Sequence, residues 1–182
     1  MSIPVGRTSY FGRFEEPEKY RMINQSGVRV RLLADVVGEG HSSCWDINTS
    51  PFDGTMYMAP TDERKGVGAH TRLVSYDHGK DAFKVCFKAE KLILPHVLQM
   101  PHSKLHTSIN FLPDGTSIAT THTTAGPAHH PEWMPLGHID HAYDGFAGSN
   151  IIHYDPKTGK AENLGVPVPR EWEGKSVVKK ME

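Results

Sequence analysis

Several classes of protein are excluded by what this sequence has little of. It has two cysteines, Cys44 and Cys86, and no CxxC pair, so neither a disulfide-rich scaffold nor a cysteine-based metal site is indicated. Neither sign of charge is in excess, since the sequence has 20 Lys+Arg and 21 Asp+Glu. A basic surface of the kind that binds nucleic acid or an anionic membrane is therefore not expected. No hydrophobic run approaches the roughly 20 residues that span a bilayer.

The N-terminus also lacks a recognisable targeting signal. Residues 1–20, MSIPVGRTSYFGRFEEPEKY, contain no hydrophobic core and become acidic at Glu15. Both cysteines are expected to be buried thiols of a reducing compartment. We therefore expect a cytoplasmic location, or a secreted or periplasmic one if a leader precedes residue 1.

What the sequence does contain is turn-forming residues between short β-branched segments. Its 17 Gly and 13 Pro predict many short strands joined by turns. The only predicted helix is short and covers residues 15–24. The strands are predicted over 27–37, 43–50, 55–61, 71–90 (a hairpin turned at Asp77–Lys80), 105–112, 116–123, 150–155 and 160–169.

Two parts of the chain repeat one another. The turn Asp53-Gly54-Thr55 recurs 61 residues later as Asp114-Gly115-Thr116, and residues 73–85 resemble residues 151–164 at an offset of 78. The difference of 17 residues is an insertion within residues 124–149. Four strands per unit, with a DG turn in the first pair and a YD turn in the second, are typical of a β-propeller blade. A meandering β-sandwich has similar strand spacing and is the alternative.

The predicted fold class is all-β, a partial β-propeller of about two four-stranded blades plus one extra strand. The predicted parts are an N-terminal arm (1–26), a propeller domain (27–170) with blades over 41–91 and 102–169, and a charged tail (171–182). The insertion over 124–149 is expected to be an ordered lid. Propellers usually close with about four to eight blades, so we expect a piece of a larger propeller, or self-association through exposed blade edges.

Histidines are concentrated in residues 102–131, which carry five of the 12 in the chain. His106 and His122 each lie about eight residues from Asp114, so pairing across that turn is expected to place them opposite one another. Two imidazoles in contact have different pKa values and provide one base and one acid. For each histidine taken singly, a surface or structural role is the alternative.

Other side chains are expected to face the same opening. Four of them are candidate substrate-binding residues: His41, His102, His130 and Trp133. Tyr143 is a candidate proton donor. Trp45 is expected in the core, whereas Lys104 and Arg72 are expected to be solvated charges.

A metal site is the alternative to a metal-free acid–base pair. Three imidazoles can hold a divalent ion with the help of a carboxylate. The alternative ligands are His102, His106 and His122, the candidate ions are Zn, Mn and Ca, and Asp140 or Asp144 would assist.

Three segments together resemble a known family: LPDGTSIATTHTT (112–124), HPEW (130–133) and GSNIIHYDPKTGKAENLGVPVPRE (148–171). They are similar to bacterial β-propeller polysaccharide lyases of the ulvan-lyase-like and oligogalacturonate-lyase-like kinds. In such lyases a histidine and a tyrosine share the acid and base roles, and an arginine or another histidine neutralises the uronate carboxylate. On this chain His106 and His122 match the histidine pair, Tyr143 is matched as the donor, and no neutralising arginine is matched.

The resemblance covers mainly residues 100–171 and implies a carbon–oxygen lyase. Its substrate would be an anionic polysaccharide or oligosaccharide, cleaved by β-elimination at a 4-linked uronic acid residue. The missing arginine is then expected in blades outside these residues, and the chain alone is not expected to be fully active. Two alternatives stay open: a non-catalytic propeller module that binds glycan or protein, and a metal-dependent oligouronide lyase or hydrolase with histidine ligands.

Overall fold

The fold is described from a computed structural model of the chain. The described residues are 8–9, 12–13, 41–62, 70–93, 99–106, 108–127, 129–133, 144–167, 171–172 and 175–176. The strand predicted over 27–37, the helix predicted over 15–24 and the candidate donor Tyr143 lie outside them. A small antiparallel hairpin of β1 (Thr8–Ser9) and β2 (Gly12–Arg13) comes first in the described part.

The first sheet is an antiparallel meander in which the strands lie side by side in chain order. Its strands are β3 (His41–Thr49), β4 (Met56–Asp62), β5 (His70–Asp77) and β6 (Ala82–Lys88). The one-turn helix α1 (Ala89–Leu92) follows β6 directly. No helix among the described residues is long and apolar enough to cross a membrane.

The second sheet repeats this meander with its first strand broken in two. We call the first strand of each meander, which lies at one edge of its sheet, the inner strand. Its strands are β7 (Lys104–Leu105), β8 (Asn110–Phe111), β9 (Ser117–His122), β10 (Ile151–Asp155) and β11 (Lys160–Gly165). Both β7 and β8 pair with β9, and the order continues through β10 to β11. The prediction of one continuous strand over 105–112 is therefore wrong at its centre. A last hairpin joins β12 (Glu171–Trp172) to β13 (Lys175–Ser176).

The repeat predicted from the sequence is confirmed in the turns that join the first two strands of each sheet. The Asp53 side chain accepts the Thr55 N–H over 3.1 Å, and the Asp114 side chain accepts the Thr116 N–H over 2.9 Å. The glycine of each turn has a positive φ, +72° at Gly54 and +85° in the second turn. These side-chain-to-backbone bonds are the reason that an Asp-Gly-Thr sequence reverses the chain at both places.

The strand register also repeats. Cys44 pairs with Pro60 in the first sheet, and Leu105 pairs with Thr121 in the second, at the same offset of 61. Immediately afterwards each inner strand departs from regular pairing in a β-bulge. In the second sheet Leu105 pairs with Thr121 and Asn110 with Ile118, so the inner strand advances five residues where β9 advances three.

Because of the bulge, the cross-strand partner of His122 is not the residue that the sequence predicted. The predicted register holds beyond the bulge, where Asn110 pairs with Ile118. Before the bulge Lys104, and not His106, lies opposite His122. The reason is the two extra residues in the inner strand, which shift all pairing on the far side of the bulge.

The two sheets pack on one another through a shared hydrophobic core. Its buried members are Tyr57, Ala59, Leu73, Phe87, Ile93, Leu105, Ile109, Ala119, Ile152 and Tyr154. The ring contacts join strands that are one position apart in the two meanders. Tyr57 of β4 contacts Phe111 of β8 with ring centroids 5.3 Å apart, and Phe87 of β6 contacts Tyr154 of β10 at 6.2 Å. Burial of each large apolar side chain contributes about 1.5–3 kcal/mol, and this core holds the sheets face to face. The described part of the chain is thus mostly β, built on two antiparallel sheets that pack on one another.

Both cysteines are free thiols. Cys86 is half-buried, but Cys44 is exposed, so the expectation of two buried thiols is wrong for Cys44. Cys44 lies directly before the bulge of β3, and β3 is at the edge of the first sheet, where one side of the strand has no neighbouring strand.

Candidate functional site

The structure brings together the two histidines proposed as the acid–base pair. The ring centroids of His106 and His122 are 6.2 Å apart, and the rings meet edge to face at 78°. His106 is exposed at the start of the bulge, and His122 is half-buried at the end of β9. The bulge therefore offsets the two residues along the sheet, yet their rings still meet.

The bulge is held in place by side chains of both sheets. Ser108 replaces regular strand pairing, because its hydroxyl donates to the Thr120 carbonyl over 3.1 Å and accepts the Thr120 N–H over 2.8 Å. From the first sheet, the Asp46 carboxylate accepts the N–H groups of Ser108 and Ile109. The Asn48 side chain donates to the Ile109 carbonyl over 2.8 Å. Because these partners satisfy the unpaired backbone groups, the irregular segment that carries His106 is stable.

Two residues that were not predicted to belong to the site complete this cluster. The Lys104 ammonium lies 4.1 Å from the centre of the Trp45 ring, and the His106 ring meets Trp45 edge to face at 5.2 Å. Trp45 is 38% exposed, so its expected place in the core is wrong, and Lys104 is only 6% exposed, so it is not a solvated charge. We call Trp45, Lys104, His106 and His122 the inner-strand cluster.

A sequence signal for both residues existed. Trp45 occupies the position equivalent to His106 at the offset of 61, and Lys104 is two residues before His106, on the same face of an extended strand. The contact between them depends on the stacking of the two sheets, which the repeat alone does not specify.

The environment of His122 favours its neutral form. Burial lowers the pKa of His122, the neighbouring charges of Lys104 and His106 lower it further, and a hydrogen bond to the Thr123 carbonyl opposes them. His122 Nδ1 lies 2.7 Å from both the nitrogen and the oxygen of Thr123. The backbone therefore engages Nδ1 in either tautomer, and Nε2 is the ring nitrogen that remains for a substrate.

His102 supports this cluster from below the surface. It is 8% exposed, its ring centroid is 4.9 Å from that of Phe146, and Phe146 in turn stacks on His122 at 5.7 Å. His102 Nδ1 is 2.8 Å from the Thr121 hydroxyl, which also accepts the Asn150 N–H. Burial lowers the pKa of His102 to about 4, so it is neutral at pH 7.

His41 lies at one end of the first sheet, in register with Asp62. Both of its ring nitrogens are buried and make no hydrogen bond to any described residue. Burial lowers the pKa of His41, and the nearby Arg72 charge lowers it further. Arg72 itself is half-buried, so the expectation that it is a solvated surface charge is wrong.

The two substrate-binding candidates of the insertion contact one another. The rings of His130 and Trp133 stack in parallel, with centroids 4.3 Å apart and planes 3° apart. His129 lies beside His130, and its Nε2 is 3.1 Å from the Asp144 carboxylate.

Potential metal ligands meet in a different place from the alternative ligand set of the sequence analysis. Among the described residues, the histidine, cysteine and acidic side chains close enough to hold an ion are those of His129, His130 and Asp144. The alternative set of His102, His106 and His122 does not form such a group, because the His102 ring is turned to the Thr121 hydroxyl and to Phe146.

The fold and the inner-strand cluster define a class of protein. It is a β protein in which histidine, lysine and tryptophan side chains from two packed sheets meet beside the bulges of the inner strands. Comparison with protein-family models, with curated proteins and with solved structures found no match.

Proposed function

We propose that the two sheets are consecutive blades of a β-propeller and that the inner-strand cluster cleaves a uronic-acid-containing polysaccharide or oligosaccharide by β-elimination. The observation that carries the proposal is the convergence of His106, His122 and Lys104 beside an exposed indole ring. The blade assignment is supported by the repeated turns, the repeated register and the packing of the two meanders through one hydrophobic core. A propeller ring usually needs about four to eight blades, so the two sheets would act within a larger assembly joined through their edges.

Lys104 supplies the positive charge that the family resemblance did not provide. β-Elimination requires the uronate carboxylate to be neutralised, because the negative charge that develops after loss of the C5 proton spreads onto it. A lysine that is 6% exposed offers its ammonium in surroundings of low dielectric, where a charge interacts more strongly than in bulk water. In this proposal Lys104 takes the role of the missing arginine.

His122 is the proposed base and His106 the proposed acid. Since its pKa is lowered, His122 is neutral at pH 7, and its Nε2 can accept the C5 proton while Nδ1–H donates to the Thr123 carbonyl. His106 would protonate O4 as the C4–O4 bond breaks and the C4–C5 double bond forms. Tyr143 remains the alternative acid, and it lies outside the described residues.

Trp45 is the proposed platform for the sugar ring. Indole faces stack on the apolar faces of sugars, and 38% of Trp45 is accessible. The edge contact with His106 would place a bound sugar next to the histidine pair.

The reaction is tested by ultraviolet absorbance of the unsaturated uronide, measured on a panel of anionic polysaccharides and oligosaccharides. Activity is expected with at least one uronic-acid polymer and none with neutral glycans. Metal chelation is expected to leave the rate unchanged, which separates this proposal from a metal-dependent lyase or hydrolase.

Lys104→Met tests the assigned charge. The substitution is expected to reduce kcat/KM by at least about tenfold, and to move the acid limb of the pH profile to higher pH because a positive neighbour of His122 is removed. Lys91→Met, at an exposed site in α1, is the matched control and should change neither property. An unchanged pH profile in Lys104→Met would contradict the role.

A non-catalytic glycan-binding module is the second candidate, and the Lys104–Trp45 pair favours it because a cation and an indole suffice to bind an acidic sugar. In that case the same polysaccharides would quench tryptophan fluorescence, Trp45→Ala would abolish the quenching, and no unsaturated product would form.

A further inference from the structure

A second group of ionisable side chains lies beside the insertion and is separate from the inner-strand cluster. His129, His130 and Asp144 each present one potential ligand atom, and these three atoms lie within 4.8 Å of one another. We propose that His129, His130 and Asp144 bind a divalent transition-metal ion of the Zn²⁺ type.

The donor set fits such an ion. Two imidazoles and one carboxylate are preferred by Zn²⁺ and its neighbours in the transition series, whereas Ca²⁺ and Mg²⁺ prefer oxygen ligands alone. Tetrahedral Zn²⁺ with bonds of about 2.0–2.1 Å places its ligand atoms about 3.3 Å apart. His129 Nε2 and Asp144 Oδ2 are already 3.1 Å apart. The side chains of His129 and His130 are 36% and 39% exposed, so small rotations of these two side chains would close the remaining distances.

The neighbours of His130 hold its ring in a defined orientation. Glu132 Oε1 lies 3.2 Å from His130 Nδ1, and Trp133 stacks on one face of the ring. A carboxylate on one nitrogen of an imidazole selects the tautomer and orients the ring of a metal-ligating histidine. The reduced rotational freedom of His130 lowers the entropic cost of binding the ion.

The positions of the ligands in the sequence give the ion a structural consequence. In the sequence, His129 and His130 lie before the segment 134–143, and Asp144 is the residue directly after that segment. An ion held by all three would tie together both ends of this segment of the insertion. Binding of the ion to the folded chain would also raise the melting temperature by mass action.

The proposal is tested by calorimetric titration of the tag-free full chain with ZnCl₂ at neutral pH. We expect one equivalent of Zn²⁺ to bind, with Ca²⁺ giving no heat. His129→Ala and Asp144→Asn should each weaken binding by at least about tenfold, and Glu132→Gln by about tenfold through the orientation of His130. His78→Ala, which removes an exposed histidine from the turn after β5, is the matched control and should bind as the unchanged chain does.

Co²⁺ provides a readout that depends on the ligands themselves. A tetrahedral or five-coordinate Co²⁺ complex should show visible absorption in the unchanged chain and lose intensity in His129→Ala. Circular dichroism of each variant checks that the fold is retained. Zn²⁺ affinity that is the same in His129→Ala, Asp144→Asn and His78→Ala would overturn the proposal, as would the absence of binding. The readouts are independent of lyase activity.

Discussion

The two sheets share one scaffold but display different side chains at the bulge of the inner strand. Both have the Asp-Gly-Thr turn, the same register before the bulge and the same order of strands. At the positions where the second sheet has His106 and His122, the first sheet has Trp45 and Thr61. The repeated backbone therefore places a side chain at the same position in both sheets. The residue type at that position decides whether the side chain can exchange a proton.

The size of the bulge is the second difference between the sheets. In the first sheet two residues, Trp45 and Asp46, face Ala59 alone. In the second sheet the inner strand advances five residues, from Leu105 to Asn110, while β9 advances three, so this bulge contains two extra residues. His106 and Trp45 are both exposed at the start of their bulges, and only in the first sheet is the next residue, Asp46, a side chain that binds the backbone of the other sheet. One sheet thus supplies the support and the other supplies the histidines.

The largest effect is expected from removing the proposed base. His122→Ala should reduce the β-elimination rate by about 10²- to 10⁴-fold, the usual contribution of a general base. Thr61→Val, at the equivalent position of the first sheet, should leave the rate unchanged. Initial rates from ultraviolet absorbance measure both. Equal losses in the two variants would mean that the position matters for packing and not for chemistry.

The next effect is a pH-dependent loss of stability that arises in the second sheet. His102 has a pKa of about 4 in the folded protein, well below its usual value of 6.5, so the unfolded chain binds more protons between those two pH values. Its contribution to stability is complete above pH 6.5 and is lost as the pH falls towards 4, by about 3 kcal/mol. Urea unfolding at a series of pH values measures it. His102→Gln should flatten this part of the curve, and a curve that keeps its full slope would contradict the assignment.

The support given by the first sheet is tested at Asp46. Asp46→Ala leaves two N–H groups of the bulge without their acceptor and should lower the free energy of unfolding by about 2–3 kcal/mol. Asp46→Asn retains a side-chain acceptor and should cost less. Urea denaturation gives both values. If Asp46→Ala is as stable as the unchanged chain, the bulge does not depend on the first sheet.

The smallest effect compares the two turns directly. Gly54→Ala and Gly115→Ala should each lower the free energy of unfolding by about 1 kcal/mol. Both glycines have a positive φ, and a residue with a Cβ is strained in that conformation. A Cβ at Gly54 would lie 3.6 Å from the His78 ring, an ordinary contact, and one at Gly115 would meet nothing within 4 Å. Thermal or urea unfolding should therefore give similar losses. A large difference between the two would show that the turns are not equivalent.

Much of the fold could be predicted because its signals are local. Strand segments such as 55–61 and 150–155 were placed within a residue or two of β4 and β10, since alternation and turn residues mark them. The break between β7 and β8 could not be predicted. It depends on Asp46 and Asn48, which are 61–63 residues away from the backbone groups that they bind.

The candidate site was predicted in part for the same reason. Proximity of His106 and His122 followed from a hairpin, which is a local structure. Lys104 was expected to be a solvated charge and Trp45 a core residue, and both expectations were wrong because the two side chains meet only through the stacking of the sheets. The close approach of His129 to Asp144 joins the two sides of residues 134–143, and no periodic pattern indicates it.

The sequence by itself determined the β class, the two Asp-Gly-Thr turns, the repeat and the hairpin that carries the histidines. Each of these depends on side chains within a few residues of the backbone groups that they bind or turn. The tertiary structure decided the register at His122, the burial of Lys104, the exposure of Trp45 and the meeting of His129 with Asp144. These depend on contacts between segments distant in the chain, where packing and the need to satisfy buried polar groups outweigh local preference.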